Sequence, residues 1–375
     1  MGYVAVKGGT EAIEESLRRL QYERLKNETV LQVKDVEGGM MGLIDQVMSE
    51  ASLYCSSLAA LAIKQAEGNP EEAVFLLRAY RSTLPRLHYS EPMETENMFV
   101  ERRISASFKD IPGGQILGAS PDFSHRLLDF KLTEETMEEV FNWLHEYERD
   151  QQDSPSVEQP LKKLPKVVDY LRQEGLLQEV APNDEQPDDI TRESLQFPAS
   201  RSARLQSLTR GQTGAVTSLA YAALRGYGAL HPTVGELRVG KAPIYIGVNE
   251  VNDESEQYYI GDVQVTEVES FIPITIEKPG GKNELQFELG YGICFGQNET
   301  KAISMSLLDH CLETGDPRYP TNNEEFVLLH IDSVESTGFI SHLKLPHYVT
   351  FQSELDRVRK TKTNQSEDLT EESVQ

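Results

Sequence analysis

The spacing of the apolar residues changes near Ile244, and this change constrains the fold of the chain more than any other feature. Before it, apolar positions recur every three to four residues, as on the buried face of a helix. After it they alternate, and Leu285, Phe287 and Leu289 occupy every second position. We therefore predict an α+β fold, with a helical N-terminal part and a mostly antiparallel β-sheet with one flanking helix in the C-terminal part.

Capping residues locate several of the helices. Asn69, followed by Pro70 and Glu72, is typical of a helix start and predicts a helix over residues 70–82. Thr10 is the expected cap of an earlier helix, and Gly315 is the expected end of a helix that begins near residue 298.

Turn residues and composition divide the chain further. Residues 90–120 are rich in Gly and Pro and predict loop and short strand, the compact apolar run over 326–331 predicts a buried strand, and the acidic residues 366–375 predict a disordered tail. The expected segments are a helical N-terminal domain with a basic loop over 1–130, an acidic helix with a small insert and linkers over 131–190, a mixed α/β domain over 191–350, and a C-terminal helix with the tail over 351–375.

Charge and cysteine content exclude several classes of protein. Among the 375 residues, 36 Lys and Arg stand against 61 Asp and Glu, and the formal net charge of −25 repels nucleic-acid backbones and anionic lipid. No apolar run has the roughly 18 residues of a membrane span, and the N-terminus lacks the features of a signal peptide. The three cysteines contain no CxxC pair. We expect a cytoplasmic protein that binds neither nucleic acid nor membrane.

Residues 235–241 have the GxxxxGK spacing of a phosphate-binding loop, but their context does not fit one. Ala242 stands where such a loop needs Ser or Thr for magnesium, and Pro243 interrupts the helix that would face the phosphates. A turn that enters a strand is the expected structure.

A basic stretch that ends in two glycines is a candidate anion site. Arg103 and Lys109 share one face of an extended chain, Arg102 adds a third cation, and the amides of Gly113 and Gly114 can approach an anion closely. The alternative is a solvated charged strand with a Gly-Gly turn, and the residues alone leave both interpretations open.

The segment that contains Arg225, Tyr227 and His231 has the composition of a nucleotide pocket. Its glycines permit close approach of a ligand, Tyr227 offers a flat face for a purine or a sugar, and Arg225 and His231 offer charge and a proton. An ordinary loop after a helix explains the same composition, so both interpretations stay open here as well.

Two histidines in the C-terminal part form a candidate metal site. His342 and His347 point apart on a helix and on a strand, so only a turn brings them to one metal ion. Pro346 supplies such a bend, and two imidazoles leave coordination positions open. Two structural histidines are the alternative.

Sequence blocks spread over nearly the whole chain resemble the PhnI family, the I subunit of the bacterial carbon–phosphorus lyase core complex. They are YVAVKGG at 3–9, FLLRAYR at 75–81, ERRISA at 101–106, KDIPGGQ at 109–115, HRLLDF at 125–130, QPDDITR at 186–192, RGYG at 225–228 with the following His231 and Pro232, and SHLKLPHY at 341–348. The blocks occur in the family's order. Residues 133–181 and the acidic tail match nothing in that pattern.

The resemblance implies a cytoplasmic subunit of phosphonate breakdown. With subunits G, H and L, the family's I subunit transfers a phosphonate such as methylphosphonate to ribose C1 of ATP, which releases adenine and gives alpha-D-ribose 1-methylphosphonate 5-triphosphate. Alone it acts as a purine nucleosidase. The implied partners are subunits G, H and J with the ATPase-like subunits K and L. The family's histidine pair implies zinc at His342 and His347.

The expected roles combine the resemblance with the chemistry of adenine loss, which passes through an oxocarbenium-like state and needs a proton donor and a nearby anion. The candidate catalytic residues are His231, Asp188 and Asp189. The candidate substrate-binding residues are Arg102, Arg103, Lys109, Gly113, Gly114, Arg225 and Tyr227. A mainly non-catalytic scaffold subunit of the same complex is the alternative function.

Overall fold

The structure is a computed structural model that describes residues 8–153, 164–177, 186–227, 231–248, 256–278, 281–345 and 347–372. Its helices are α1 (Gly9–Leu25), α2 (Val33–Gly39), α3 (Met41–Ala51), α4 (Ser56–Gln65), α5 (Pro70–Arg81), α6 (Met137–Asp153), α7 (Val167–Gln173), α8 (Arg201–Arg210), α9 (Thr213–Ala222), α10 (Glu299–Thr314), α11 (Glu324–His330), α12 (Ser333–Ser341) and α13 (Tyr348–Glu372). Its strands are β1 (Phe99–Ile104), β2 (Thr233–Val248), β3 (Glu256–Lys278) and β4 (Lys282–Phe295).

The four strands form one antiparallel sheet in the order β1-β2-β3-β4. The predicted α+β class and the antiparallel sheet are confirmed. β1 lies at the edge of the sheet, although the sequence places it in the helical N-terminal segment. Residues 235–241 lie within β2, which agrees with the rejection of a phosphate-binding loop.

Helices α8, α9 and α10 share a hydrophobic core with one face of the sheet, so the prediction of a single flanking helix is incomplete. α10 packs against β4 at Gly290 and Gly292. A Cβ atom on these residues would lie 2.0 Å and 2.1 Å from the carbonyl oxygens of Ser306 and Ala302. Only glycine permits this approach of helix to strand.

Helices α2 to α5 form a second core, which contains Val47, Ile63 and Val74. The start of α5 is as the sequence predicts, because the Asn69 side chain accepts the backbone N–H of Glu72 at 2.9 Å. This core is separate from the one beside the sheet.

Helix α1 has no buried residue, and its apolar residues Leu17 and Leu20 are 61% and 59% exposed. The helix begins at Gly9 and its N-cap is Gly8, in a left-handed conformation. The prediction that Thr10 caps this helix is therefore wrong.

Two predictions in the C-terminal part are also wrong. Residues 326–331 belong mostly to α11 rather than to a strand, because the Asn323 side chain accepts the backbone N–H of Phe326 at 2.7 Å and caps a helix there. α13 continues to Glu372, so the segment predicted as a disordered tail from residue 366 is helical over most of its length.

Candidate functional site

Arg103 on β1 is fully buried, and its guanidinium holds three parts of the chain together. Its Nε donates to Glu236 Oε1 at 2.5 Å, Nη1 donates to the Pro112 carbonyl at 2.6 Å, and Nη2 donates to the Pro165 carbonyl at 2.8 Å. Glu236 also accepts the backbone N–H of Val167, the first residue of α7, at 3.0 Å. In this arrangement Arg103 is an internal brace of the basic stretch.

Arg102 points to the other face and is 4% exposed. Its Nε donates to Glu299 Oε1 at 2.8 Å, Nη1 donates to the Leu117 carbonyl at 2.5 Å, and Nη2 pairs with Asp122. Both arginines of the basic stretch are therefore paired with carboxylates of this chain.

Lys109 differs from the two arginines, because its side chain is exposed and no ion pair joins it to a carboxylate of the described residues. Gly113 and Gly114 follow it with φ of 84° and 72°, so both adopt left-handed conformations that favour glycine. The Gly114 carbonyl accepts from Arg103 at 3.4 Å. The predicted Gly-Gly turn is present and is held by the buried Arg103.

The segment around Arg225 begins in a π-helical turn, Ala223–Tyr227, directly after α9. Gly226 has φ of 111° in this turn, a value that other residues rarely adopt. The Arg225 guanidinium lies 6.0 Å from the centre of the Tyr221 ring. The Tyr227 side chain and residues 228–230 lie outside the described part, so Tyr227 stays a prediction.

His231 is exposed and lies just before β2. The Ala106 N–H donates to the Val234 carbonyl at 3.0 Å, which extends the pairing of β1 with β2. The chain that leads to Lys109 therefore runs beside the start of β2, and two stretches that the sequence analysis treats separately meet at one end of the sheet.

Asp188 and Asp189 lie near the N-terminal part of α8. Asp188 accepts hydrogen bonds from Ser200 and Ser202, and these lower the pKa of its carboxyl. Burial alone would raise the pKa of Asp189, but hydrogen bonds from Thr191 and the ion pair with Arg86 lower it. Both residues are carboxylates at neutral pH, and they line a cleft of about 250 Å³.

His342 and His347 lie close together, while Pro346, the residue predicted to form the bend between them, lies outside the described residues. The ring centres of His342 and His347 lie 5.5 Å apart at an angle of 84°. His342 Nδ1 contacts the Phe339 carbonyl, which leaves Nε2 available. Among the described residues no group of three or more His, Cys, Asp or Glu is arranged to hold a metal ion.

The sequence analysis missed a group of four arginines, Arg78, Arg81, Arg86 and Arg210, which we call the arginine junction. Arg78 Nη2 donates to the Arg210 carbonyl at 2.9 Å and to the Glu50 carbonyl at 2.8 Å, so the group joins the core of α2 to α5 with α8. The spacing of Arg78 and Arg81 places both on one face of α5, and this was the available signal.

Comparison with known proteins defines the class of this chain. The family model described as bacterial phosphonate metabolism protein matches residues 2–365. The chain belongs to this family, PhnI.

Relatives extend over nearly the full length. The chain is 43% identical over 367 residues to a protein of Rhizobium meliloti (strain 1021), which covers 96% of this chain and 94% of the relative. It is also 43% identical over 374 residues to a protein of Escherichia coli (strain K12). This alignment covers 97% of this chain and 99% of the relative. Both relatives are named alpha-D-ribose 1-methylphosphonate 5-triphosphate synthase subunit PhnI. A relative from Stutzerimonas stutzeri, 43% identical over 378 residues, is provisionally named C-P lyase subunit protein HtxH.

No helix in the described part of the chain combines the length and the apolar composition that a membrane span requires.

Proposed function

We propose that this chain is the subunit of a carbon–phosphorus lyase complex that transfers a phosphonate, with methylphosphonate as the type case, to ribose C1 of ATP. Adenine leaves and alpha-D-ribose 1-methylphosphonate 5-triphosphate forms. The observation that carries the proposal is the 43% identity, over 97% of the chain, to a relative named as a subunit of that synthase. Without a phosphonate, water takes its place and the chain acts as a purine nucleosidase.

The proposed reaction exchanges one bond at C1 for another. A phosphonate oxygen forms a bond to C1 while the bond from C1 to N9 of adenine breaks, and the leaving base takes up a proton. His231 is the proposed donor, because a protonated imidazole can donate a proton to a leaving base. Asp188 and Asp189, whose lowered pKa values keep them ionised, are the proposed anions that stabilise the positive charge on the ribose.

For the anionic phosphonate we propose Lys109, the turn at Gly113 and Gly114, and Arg225. Arg102 and Arg103 support this group indirectly in the present arrangement, because they position the loop while their charges are paired.

We also propose zinc at His342 and His347. Two imidazoles on a tetrahedral ion have ring centres about 5 Å apart when each metal–nitrogen bond is about 2.0–2.1 Å, and the observed 5.5 Å fits this geometry. A zinc ion held there would supply positive charge to an anionic group bound at its open positions. The open positions are left for substrate, water or a partner subunit.

The partners in this proposal are subunits G, H and J, together with the ATPase-like subunits K and L. Exposed apolar residues support the presence of partners, because α6 leaves Phe141 and Trp143 54% and 61% exposed. The same observation favours the second candidate function, a scaffold that holds other subunits without performing the transfer.

The experiment is adenine release from ATP by the assembled complex, with and without methylphosphonate. His231→Gln is expected to keep ATP binding and to slow adenine release by roughly 10²–10⁴-fold, the usual range for a general acid. His145→Gln, an exposed histidine on α6, is the matched control and is expected to change neither. Binding of ATP without any release of adenine would support the scaffold instead.

Zinc is tested by metal analysis of the assembled complex. A double variant with His342→Ala and His347→Ala is expected to lose the metal. Equal zinc content in this variant and in the wild type would contradict the site.

A further inference from the structure

The four side chains of the arginine junction differ in how their charges are paired. Arg78 forms an ion pair with Asp332, with Nη1 and Oδ2 2.7 Å apart, and Arg86 forms one with Asp189. Arg81 and Arg210 form no ion pair with any carboxylate among the described residues. Both side chains donate hydrogen bonds to backbone carbonyls instead.

Those carbonyl contacts use only part of each guanidinium. Arg81 Nη1 donates to the Ala51 carbonyl at 2.5 Å, at the C-terminal end of α3. Arg210 Nη1 donates to the Ile190 carbonyl at 2.8 Å. Arg210 Nε is buried and has no hydrogen-bond partner in the part of the chain that the structure describes. A carbonyl carries no net charge, so these contacts leave the positive charge of both arginines uncompensated.

The pKa values of Arg81 and Arg210 are both lowered in this environment. Burial lowers the pKa of Arg210, and the charges of Arg78 and Arg81 act in the same direction, so that the pKa is about 10. Burial, Arg78 and Arg86 lower the pKa of Arg81. Nearby acids act in the opposite direction. Asp189 raises the pKa of Arg81, and Asp332 and Glu335 raise the pKa of Arg210.

A group of half-buried like charges needs a reason in a chain whose net charge is −25. The guanidinium group suits an oxyanion, because its planar N–H donors match two oxygens of a phosphate at once. Arg102 and Arg103, in contrast, already have carboxylate partners.

We propose that Arg81 and Arg210 bind the triphosphate of the nucleotide substrate, an inference that rests on the proposed function. Arg86 joins this site to Asp189, one of the carboxylates proposed for the ribose. The triphosphate then lies where the core of α2 to α5 meets α8.

The test uses inorganic triphosphate, because it carries the proposed binding group and undergoes no transfer reaction. Calorimetric titration of the full-length chain is expected to show binding that weakens roughly tenfold to a hundredfold in Arg81→Gln and in Arg210→Gln. Arg318→Gln is the matched control, since Arg318 is exposed and paired with Asp316, and it is expected to bind as the wild type does.

Thermal unfolding separates binding from a structural role. Triphosphate is expected to raise the melting temperature of the wild type and not that of the double variant with Arg81→Gln and Arg210→Gln. If that variant does not fold, Arg81→Lys and Arg210→Lys are measured instead. These variants keep the positive charge but lack the planar N–H donors of a guanidinium, so they are expected to weaken triphosphate binding without loss of the fold.

Wild-type affinity in the folded double variant, or no binding of triphosphate by the wild type, would overturn the site. Transfer to ATP by the wild type would still stand in either case. Conversely, triphosphate binding that depends on Arg81 and Arg210, without adenine release by the assembled complex, would support the site and overturn the proposed transfer reaction.

Discussion

The molecule contains two groups of buried charges that are balanced differently. On the strands of the sheet, Arg103 pairs with Glu236 and Arg238 pairs with Glu267, and all four side chains are at most 2% exposed. In the arginine junction, two of the four cations have no carboxylate partner among the described residues. The comparison teaches that buried charges paired one to one hold elements of the fold in place, whereas an excess of one sign indicates where a ligand completes the balance.

The largest expected effect comes from removing one partner of a balanced pair. Arg103→Met leaves Glu236 as an uncompensated buried charge and removes the donors to three loop carbonyls. We expect the free energy of unfolding to fall by about 3–5 kcal/mol, measured by urea denaturation. Arg318→Met, at an exposed pair, is the control. A loss below about 1 kcal/mol for Arg103→Met would show that the pair is not a brace.

Low pH is expected to weaken the second buried ion pair, which joins Arg238 to Glu267. Burial alone would raise the pKa of Glu267, but Arg238 and Lys166 lower it to about 2. Because the pKa in the folded protein lies below the ordinary value of 4.5, the stabilisation is complete above about pH 4.5 and is lost as the pH falls towards 2.

The measurement compares wild type with Glu267→Gln. The difference between their free energies of unfolding is expected to narrow by about 3 kcal/mol between pH 5 and pH 2. Glu15→Gln, on the exposed face of α1, is expected to show no such change. A difference that stays constant across this range would contradict a lowered pKa at Glu267.

The smallest effects are expected within the arginine junction, and they separate its paired and unpaired members. Arg78→Gln breaks the ion pair with Asp332 and is expected to cost about 1.5–3 kcal/mol of stability. Arg81→Gln removes a charge that its neighbours repel and is expected to cost less than about 1 kcal/mol in a buffer without phosphate. Thermal unfolding of both variants in one buffer measures this. Equal losses would remove the distinction between them.

Local patterns predicted most of the secondary structure because local physics determines it. Alternation through Leu285, Phe287 and Leu289 identified β4, and Asn69 with Pro70 identified the start of α5. The run over 326–331 misled, because a short apolar run fits a strand and a buried helix equally well. Asn323, three residues before it, carried the decisive signal, since its side chain caps α11.

The candidate site was harder to predict because its contacts are distant along the chain. Arg103 and Glu236 are 133 positions apart, and Arg78 and Asp332 are 254 apart. A basic stretch therefore gives no sign of whether its charges are already paired. The proximity of the histidine pair was predictable for the opposite reason, since His342 and His347 are only five positions apart in the sequence.

The exposure of α1 has a consequence for how the chain behaves outside an assembly. A helix that buries none of its residues gains little from the rest of the fold, so it opens at low cost in free energy. Its amides are expected to exchange with deuterium much faster than those of α3 or α10, and brief digestion is expected to cut first within residues 9–32. The fragment that remains keeps both cores and the arginine junction intact.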